Sequence, residues 1–221
     1  MKVNSFIQHL SEGLYDPGIF KAFFLAGGPG SGKTFVTSTA FAGSGLKLVN
    51  SDVAFERGLK KANLSLSMPD EETYFRNIIR NRAKALTISQ LDKYVDGRLG
   101  LVIDSTGRDY DMIARQHNQL KQIGYDTYMV FVNTSLDVAL ARNARRERTI
   151  PDYITTNSWN GVQSNMGRFQ RLFGMSNFIV VDNSKSDLEL TTLTMNRIGK
   201  VVTKLIKAPI QSYTAKRWMA S

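Results

Sequence analysis

A glycine-rich segment follows an apolar run near the start of the chain. Residues 27–34 come directly after the apolar residues 23–26 and match every fixed position of the phosphate-binding P-loop. In such a loop, backbone N–H groups surround phosphate oxygens because glycine lets them approach. Lys33 would reach the β- and γ-phosphates, and Thr34 would ligate Mg²⁺. The segment predicts an ATP site with Mg²⁺, whose nucleotide-binding residues are Gly27, Gly28, Pro29, Gly30, Ser31, Gly32, Lys33 and Thr34.

Two acidic residues at the ends of predicted strands are candidates for catalysis and metal binding. Asp52 follows the strand predicted over 46–50, where its carboxylate could accept the proton of an attacking hydroxyl. The alternative is that Asp52 caps a helix beginning at the next residue, since Asp is a preferred N-cap. Asp104 ends the apolar run 101–103, a pattern typical of an acid that orients Mg²⁺. A buried structural Asp bonded to Thr34 would show the same pattern.

An arginine cluster ends the helix predicted from Ser135. Arg142, Arg145 and Arg146 are spaced so that two or three of them could converge on one triphosphate, and Arg148 follows them. Arginines there would stabilise the charge that develops on a transferred phosphoryl group. We interpret the cluster as a mobile, arginine-rich lid. The alternative is an exposed basic helix end that interacts with the helix dipole.

Polar segments elsewhere could contact an acceptor. Thr106, Arg108 and Asp109 occupy the loop after Asp104 and are predicted to bind the acceptor substrate, although an ordinary solvated loop is the alternative. Residues 159–171 mix aromatic, amide and basic side chains, which suits base stacking, but aromatics at this spacing are more often core. The similar stretch 213–218 leaves nucleic-acid contact and disorder open.

The elements that position these residues alternate between strand and helix. Strands are predicted over 21–26, 46–50, 100–104, 127–132 and 178–181. Helices are predicted after the P-loop, over 56–94 with an interruption near 66–69 where Ser67 or Asp70 could cap, over 110–123, from 135, and over 187–207. This alternation predicts a three-layer α/β sandwich of the P-loop NTPase class, with a mainly parallel five-stranded sheet and functional loops at the carboxyl ends of the strands.

The composition excludes several classes of site. The chain has no cysteine, which excludes disulfides, thiolate zinc sites and a cysteine nucleophile. Its two histidines, His9 and His117, cannot form a three-histidine metal site, and neither is assigned a role. No apolar run approaches the roughly 20 residues that span a bilayer, and the start lacks the pattern of a signal peptide. We therefore expect no membrane partner and a cytoplasmic location.

The charge balance favours a polyanionic partner. Lys and Arg number 29 against 19 Asp and Glu, a net charge of +10. This excess is high for an enzyme whose only anionic ligand is one nucleotide, and it predicts nucleic acid as a partner. The alternative is that several arginines form the lid and the remaining charges are solvated.

The P-loop, the acid after the second strand, the Asp-Ser-Thr-Gly-Arg-Asp loop and the arginine cluster together resemble the P-loop kinase group that contains polynucleotide kinases and zeta toxins. The resemblance covers roughly residues 21–183. It implies that Asp52 is the catalytic base and that the lid arginines lie within 142–148. Within the group, the Phe-Phe-Leu-Ala-Gly-Gly-Pro-Gly-Ser-Gly-Lys and Val-Asn-Ser-Asp segments are similar to a tailed-phage branch that includes 5-hydroxymethyluracil DNA kinases.

The resemblance implies an ATP-dependent kinase that phosphorylates the hydroxymethyl group of a base in phage DNA, in the host cytoplasm. The chain length and the residue patterns predict one kinase domain over 1–221, with an N-terminal helix over 1–20, a core over 21–183 containing a lid at about 142–171, and a C-terminal helix and basic tail over 184–221. A zeta-toxin-like kinase for nucleotides or nucleotide sugars, a polynucleotide 5′-hydroxyl kinase and a DNA-binding ATPase without an acceptor are alternatives. The oligomeric state is left open.

Overall fold

A parallel five-stranded sheet lies at the centre of the protein. The computed structural model describes Asp16 and residues 18–67, 69–146, 149–184 and 188–221, without the side chains of 188–192. The sheet order is β2-β3-β1-β4-β5, and every neighbouring pair is parallel. Its strands are β1 (Lys21–Ala26), β2 (Lys47–Val49), β3 (Leu101–Asp104), β4 (Asp126–Asn133) and β5 (Phe178–Asp182).

Helices connect the strands, because parallel strands need crossovers that return the chain to the same edge. They are α1 (Lys33–Ala40), α2 (Ser51–Lys61), α3 (Thr73–Asp96), α4 (Tyr110–Gln122), α5 (Leu136–Ala144), α6 (Asp152–Phe173), α7 (Leu188–Lys207) and α8 (Tyr213–Met219). Short 3₁₀ helices cover Asp70–Glu72 and Met175–Asn177. None of the helices described is long and apolar enough to cross a membrane.

The sheet is covered on both faces, so the predicted three-layer α/β fold is confirmed. Strand β1 is buried along its whole length, and its alternate side chains enter two different clusters. Phe24 packs in the cluster that includes Ile113 of α4 and Phe169 of α6. Phe23 packs in the cluster that includes Val36 of α1 and Ile198 of α7. A strand buried on both faces reads as a continuous apolar run, which is why β1 was predictable to the residue.

Helices α2 and α3 pack around a small apolar cluster of their own, formed by Phe55, Leu59 and Ala83. The predicted interruption between them is present, but the capping proposed for Ser67 or Asp70 is wrong. Asp70 lies inside the 3₁₀ turn, and α3 begins at Thr73 without a side-chain cap. The turn leads directly into the helix, so no side chain is needed to accept its first N–H groups.

Two expectations about the second half of the chain are corrected. The lid expected at about 142–171 is in large part α6, whose buried Val162, Phe169 and Phe173 join the core; this helix belongs to the layer packed on the sheet. The stretch 213–218 is not disordered, since it forms α8, and the Trp218 ring lies edge-on to Phe20 with centroids 5.5 Å apart. Of the helix predicted over 1–20, residues 1–15 and 17 lie outside the described residues, and so does residue 187, the predicted start of the C-terminal helix.

Candidate active site

The P-loop connects β1 to α1 in a conformation that requires glycine at two positions. Gly30 has φ of 73° and Gly32 has φ of 93°, both in the left-handed region. A Cβ atom added to Gly30 would lie 2.2 Å from the carbonyl oxygen of Ala139, and one added to Gly32 would lie 2.2 Å from Nδ2 of Asn183. The loop is therefore so closely packed that no side chain fits at Gly30 or Gly32.

Asn183, just after β5, fastens this cradle to the neighbouring strand ends. Its Nδ2 donates to the carbonyl oxygen of Ser31 over 2.8 Å. Its own carbonyl oxygen accepts from Oγ1 of Thr134 over 2.8 Å and from Nη1 of Arg142 over 2.9 Å. Sequence reasoning gave Asn183 no role, because the residues it joins are far apart along the chain.

Lys33 lies at the head of α1 with its ammonium group over the loop. Nζ donates to the carbonyl oxygens of Gly27 at 2.5 Å and Gly28 at 3.5 Å. Burial lowers the pKa of Lys33, and the nearby carboxylates of Asp104 and Asp52 partly oppose that effect. The ammonium thus lies between the glycine-rich loop and the two acids.

Asn50 connects the two acidic residues that the sequence singled out. Its Nδ2 donates to Oδ2 of Asp104 over 2.8 Å, and its Oδ1 accepts from the backbone N–H of Asp52 over 2.7 Å. Asn50 is therefore the N-cap of α2, which begins at Ser51, and the alternative that Asp52 is the cap is wrong. Asp104 likewise receives its hydrogen bond from Asn50, where the alternative was a bond with Thr34.

The carboxyl group of Asp104 has a raised pKa. Burial raises its pKa, the Lys33 ammonium lowers it, and the carboxylate of Asp52 raises it further. Its Oδ1 is buried and has no hydrogen-bond partner among the described residues. An unpartnered buried carboxylate oxygen is costly unless a cation or water satisfies it.

One cavity of about 480 Å³ brings these groups together. The predicted residues that line it are Gly28, Pro29, Gly30, Gly32, Lys33, Thr34, Asp52, Asp104, Thr106, Arg142 and Arg146. Asn50, Phe35, Val53 and Glu56, which the sequence did not indicate, complete the lining. Of the remaining P-loop residues, Gly27 donates its N–H to the carbonyl oxygen of Thr106 over 3.0 Å, and Ser31 is buried.

Only two of the described arginines in the cluster at the end of α5 line the cavity. Arg142 is half-buried, and burial lowers its pKa. Arg146 also lines the cavity, whereas Arg145 is the exposed C-cap of α5 and does not. The helix ends at Ala144, so helical spacing no longer places the residues that follow. Arg148 lies outside the described residues.

The three residues predicted to bind the acceptor, Thr106, Arg108 and Asp109, have different surroundings. Thr106 lines the main cavity. Asp109 caps α4, with Oδ1 accepting from the N–H of Met112 over 2.9 Å. Arg108 lines an adjacent depression. Trp159, from the stretch considered for base stacking, donates Nε1 to the carbonyl oxygen of Thr134 over 2.8 Å, which joins α6 to the segment after β4.

The polar groups present fit a magnesium nucleotide. Within the described ranges, no cluster of three or more His, Cys, Asp or Glu side chains could hold a metal without help. Mg²⁺, however, commonly binds through one or two protein oxygens, with phosphates and waters supplying the others. Thr34 and Asp104 line the same cavity as the phosphate-binding loop, and Asp104 carries the buried oxygen without a hydrogen-bond partner. These two residues would hold the ion.

Comparisons with known proteins agree with this architecture. A family model described as an AAA domain matches residues 23–169, which is more than half of the chain. No curated protein matches the sequence.

Solved structures with the same fold include a complex of AvrRxo1-ORF1 and -ORF2 with ATP, at 16% identity and a TM-score of 0.57, covering 82% of this chain and 62% of that chain. The PezAT toxin–antitoxin system of Streptococcus pneumoniae is similar at 13% identity and a TM-score of 0.52, covering 95% of this chain and 99% of that chain. A gluconokinase from Sinorhizobium meliloti 1021 is similar at 12% identity and a TM-score of 0.50, covering 85% of this chain and 96% of that chain. At these identities the likeness establishes a shared fold.

Proposed function

The chain belongs to the AAA domain family, and on that premise we propose that it is an ATP-dependent kinase that transfers the γ-phosphate to a hydroxyl group on DNA. The observation that carries the proposal is that one cavity holds the P-loop, Asp52 and Asp104, with Arg142 and Arg146 on its wall. A phosphate cradle alone would suit any nucleotide-binding protein. The exposed carboxylate of Asp52 beside it is the group that a transfer to a hydroxyl requires.

Asp52 acts as the general base. Its carboxylate accepts the proton of the acceptor hydroxyl as the hydroxyl oxygen forms a bond to the γ-phosphorus and the bond to the β-phosphate oxygen breaks. Asn50 holds the backbone of Asp52 at the start of α2, which fixes the base relative to the loop. Asp52 is exposed to the cavity, so an acceptor can approach it without the helix unfolding.

The cationic residues stabilise the charge of the transferred group. Bound ATP with Mg²⁺ would supply the phosphoryl group and neutralise charge on the phosphate oxygens. Lys33 holds a buried ammonium at the loop, where low dielectric strengthens its interaction with an anion. Arg142 is positioned by the carbonyl oxygen of Asn183, and Arg146 lies on the same wall. These guanidinium groups are suited to bidentate contact with the equatorial oxygens.

We assign DNA as the acceptor from charge and from sequence resemblance. The net charge of +10 exceeds what one nucleotide would require, and a basic protein gathers polyanions. The resemblance to phage 5-hydroxymethyluracil DNA kinases makes the hydroxymethyl group of that base the most specific candidate. A primary hydroxyl on a base extruded from the stack could reach Asp52 in a cavity of this size.

Transfer of labelled γ-phosphate tests the proposal. Duplex DNA containing 5-hydroxymethyluracil is compared with thymine DNA that carries free 5′-hydroxyl ends, each with the wild type and with Asp52→Asn. Label on the modified bases alone, lost in the variant, supports the base kinase. Label on the ends would instead make the protein a polynucleotide kinase, and label on neither DNA would contradict both readings.

A small-molecule kinase is the second candidate, and the cavity is also of a size that suits it. A volume of about 480 Å³ is typical of sites for nucleotides and other small ligands. The same assay with nucleotides and nucleotide sugars as acceptors examines this candidate. A KM for the acceptor that does not change with salt would favour it, whereas a KM that rises steeply with salt favours DNA.

A further inference from the structure

A second depression adjoins the main cavity and shares Thr106 with it. It has a volume of about 460 Å³ and opens to solvent between the loop after β3 and helix α6. Arg108 from the loop and Arg168 from α6 both line it. A group bound there would lie beside an acceptor whose hydroxyl was at Asp52. The mechanism proposed above uses none of these contacts.

Arg168 is held in place before any ligand binds. Its guanidinium carbon lies over the Tyr110 ring, 3.7 Å from the ring centroid, in a cation–π contact. Its Nη1 donates to Oδ1 of Asn165 over 3.3 Å. Its contact with Asp111, at 3.6 Å, joins two exposed side chains and is therefore weak. The remaining donors of this guanidinium suit a phosphate group.

The loop that carries Arg108 is fastened to the same helix. Asn165, only 6% exposed, donates Nδ2 to the carbonyl oxygens of Gly107 over 3.1 Å and Arg108 over 2.9 Å. Gly161, one turn earlier on α6, lets the stem of Arg108 cross the helix, since a Cβ atom there would lie 3.2 Å from Cγ of Arg108. Hydrogen bonds from a buried amide thus fix the backbone of the loop that carries Arg108 relative to the helix that carries Arg168.

We propose that this depression is an anion subsite that binds a phosphate group of the acceptor next to the reacting hydroxyl, through Arg108 and Arg168. Of the two acids at its rim, Asp109 is engaged in capping α4, and Asp111 is largely solvated. The proposal rests on the proposed function, because it deepens the description of the acceptor. The phosphate could belong to a phosphodiester in DNA or to a mononucleotide, whereas a neutral sugar or alcohol would not use it.

Binding of two non-reacting probes tests the subsite. The probes are thymidine 3′,5′-bisphosphate and a short single-stranded thymine oligonucleotide with phosphorylated ends, titrated calorimetrically into wild type and Arg168→Gln. The glutamine keeps a side-chain stem over Tyr110 and removes the charge. We expect the variant to bind about tenfold more weakly, as expected for a lost charged hydrogen bond at a partly exposed site. The affinity for ATP should not change.

Arg171→Gln is the matched control, because Arg171 is an exposed arginine on the same helix that does not line the depression. Arg108→Gln provides a second variant on another element and should weaken binding similarly. Equal losses in Arg168→Gln and Arg171→Gln would mean diffuse charge attraction and overturn the subsite, as would a wild type that binds neither probe.

The two probes separate the sources of phosphate. A larger effect of Arg168→Gln on the oligonucleotide supports a phosphodiester, and equal effects support a terminal phosphate. Binding through Arg168 without phosphate transfer to any DNA would overturn the DNA kinase proposal and leave the subsite supported. Transfer to DNA with a KM unchanged by Arg168→Gln would support the DNA kinase proposal and overturn the subsite.

Discussion

Asn50 donates Nδ2 to Oδ2 of Asp104 over 2.8 Å, so a neutral amide at the start of one helix positions the carboxylate at the end of the adjacent strand. The pairing leaves Oδ1 of Asp104 as the unpartnered oxygen among the described residues. An amide can do this without adding charge to a carboxylate whose pKa burial already raises. The same side chain accepts the N–H of Asp52, so one residue sets the positions of both acids.

Asn50→Ser should separate these two roles. Serine is a good N-cap, but its shorter side chain cannot be expected to reach Asp104, so the helix cap is kept and the carboxylate is released. We expect about a tenfold lower kcat and a higher Mg²⁺ concentration for half-maximal activity. Asn50→Ala should show the same kinetic defect with a further loss of about 1 kcal/mol in the free energy of unfolding. Equal stabilities of the two variants would argue against the capping role.

Asp52→Asn should abolish transfer without affecting nucleotide binding. Removal of a general base typically lowers the rate by about 10²- to 10⁴-fold. The amide is similar in size, and α2 retains its Asn50 cap, so the fold and the P-loop should be unchanged. Steady-state kcat and the Kd for ATP are the measurements. ATP hydrolysis that continues at the wild-type rate would indicate a nucleotide-dependent ATPase without an acceptor.

Gly32→Ala should eliminate ATP binding. The substitution places Cβ 2.2 Å from Nδ2 of Asn183 in a backbone with positive φ, so the loop must open at the bond that fastens it. Gly43→Ala is the control, since Gly43 also has positive φ, at 67°, but a Cβ atom there meets nothing within 4 Å. Both variants should lose about 1–2 kcal/mol of stability from the left-handed backbone. Calorimetric titration with ATP should show a loss of binding for Gly32→Ala alone.

The buried imidazole of His117 should make the fold sensitive to acid. Burial, with a smaller contribution from the Lys121 charge, lowers the pKa of His117 to about 4, and its Nδ1 lies 3.1 Å from Oγ1 of Thr127. An unfolded chain would bind the proton near pH 6.5. Stability should therefore fall as the pH drops from about 6.5 to about 4, by about 3 kcal/mol at most.

His117→Gln removes this titration while keeping a polar side chain for Thr127. Denaturant unfolding at several pH values should give curves of stability against pH that diverge between pH 6.5 and pH 4. The divergence arises because only the wild type contains His117, whereas the other groups titrate in both proteins. Parallel curves over that range would show that His117 does not have a lowered pKa in the folded state.

The local features of the site could be read from the sequence. The P-loop is contiguous, so its cradle depends on residues that are neighbours in the chain, and its position between a buried strand and a helix was predictable from the apolar run before it. Asp104 was singled out because it ends β3. Helix α5 shows the limit, since helical spacing grouped Arg145 with Arg142 and Arg146, but the helix ends at Ala144 and Arg145, its C-cap, does not line the cavity.

The sequence by itself determined the alternation of strands and helices and the identity of the phosphate-binding loop, because both follow from short-range pattern and backbone freedom. Only the tertiary structure decided which distant residues complete the site. β1 lies between β3 and β4, which brings Asp104 to the side of the loop. Asn50 meets Asp104 across 54 positions, and Asn183 meets Ser31 across 152. Such pairs depend on strand order, and an isolated asparagine at a strand end carries no local pattern that predicts its partner.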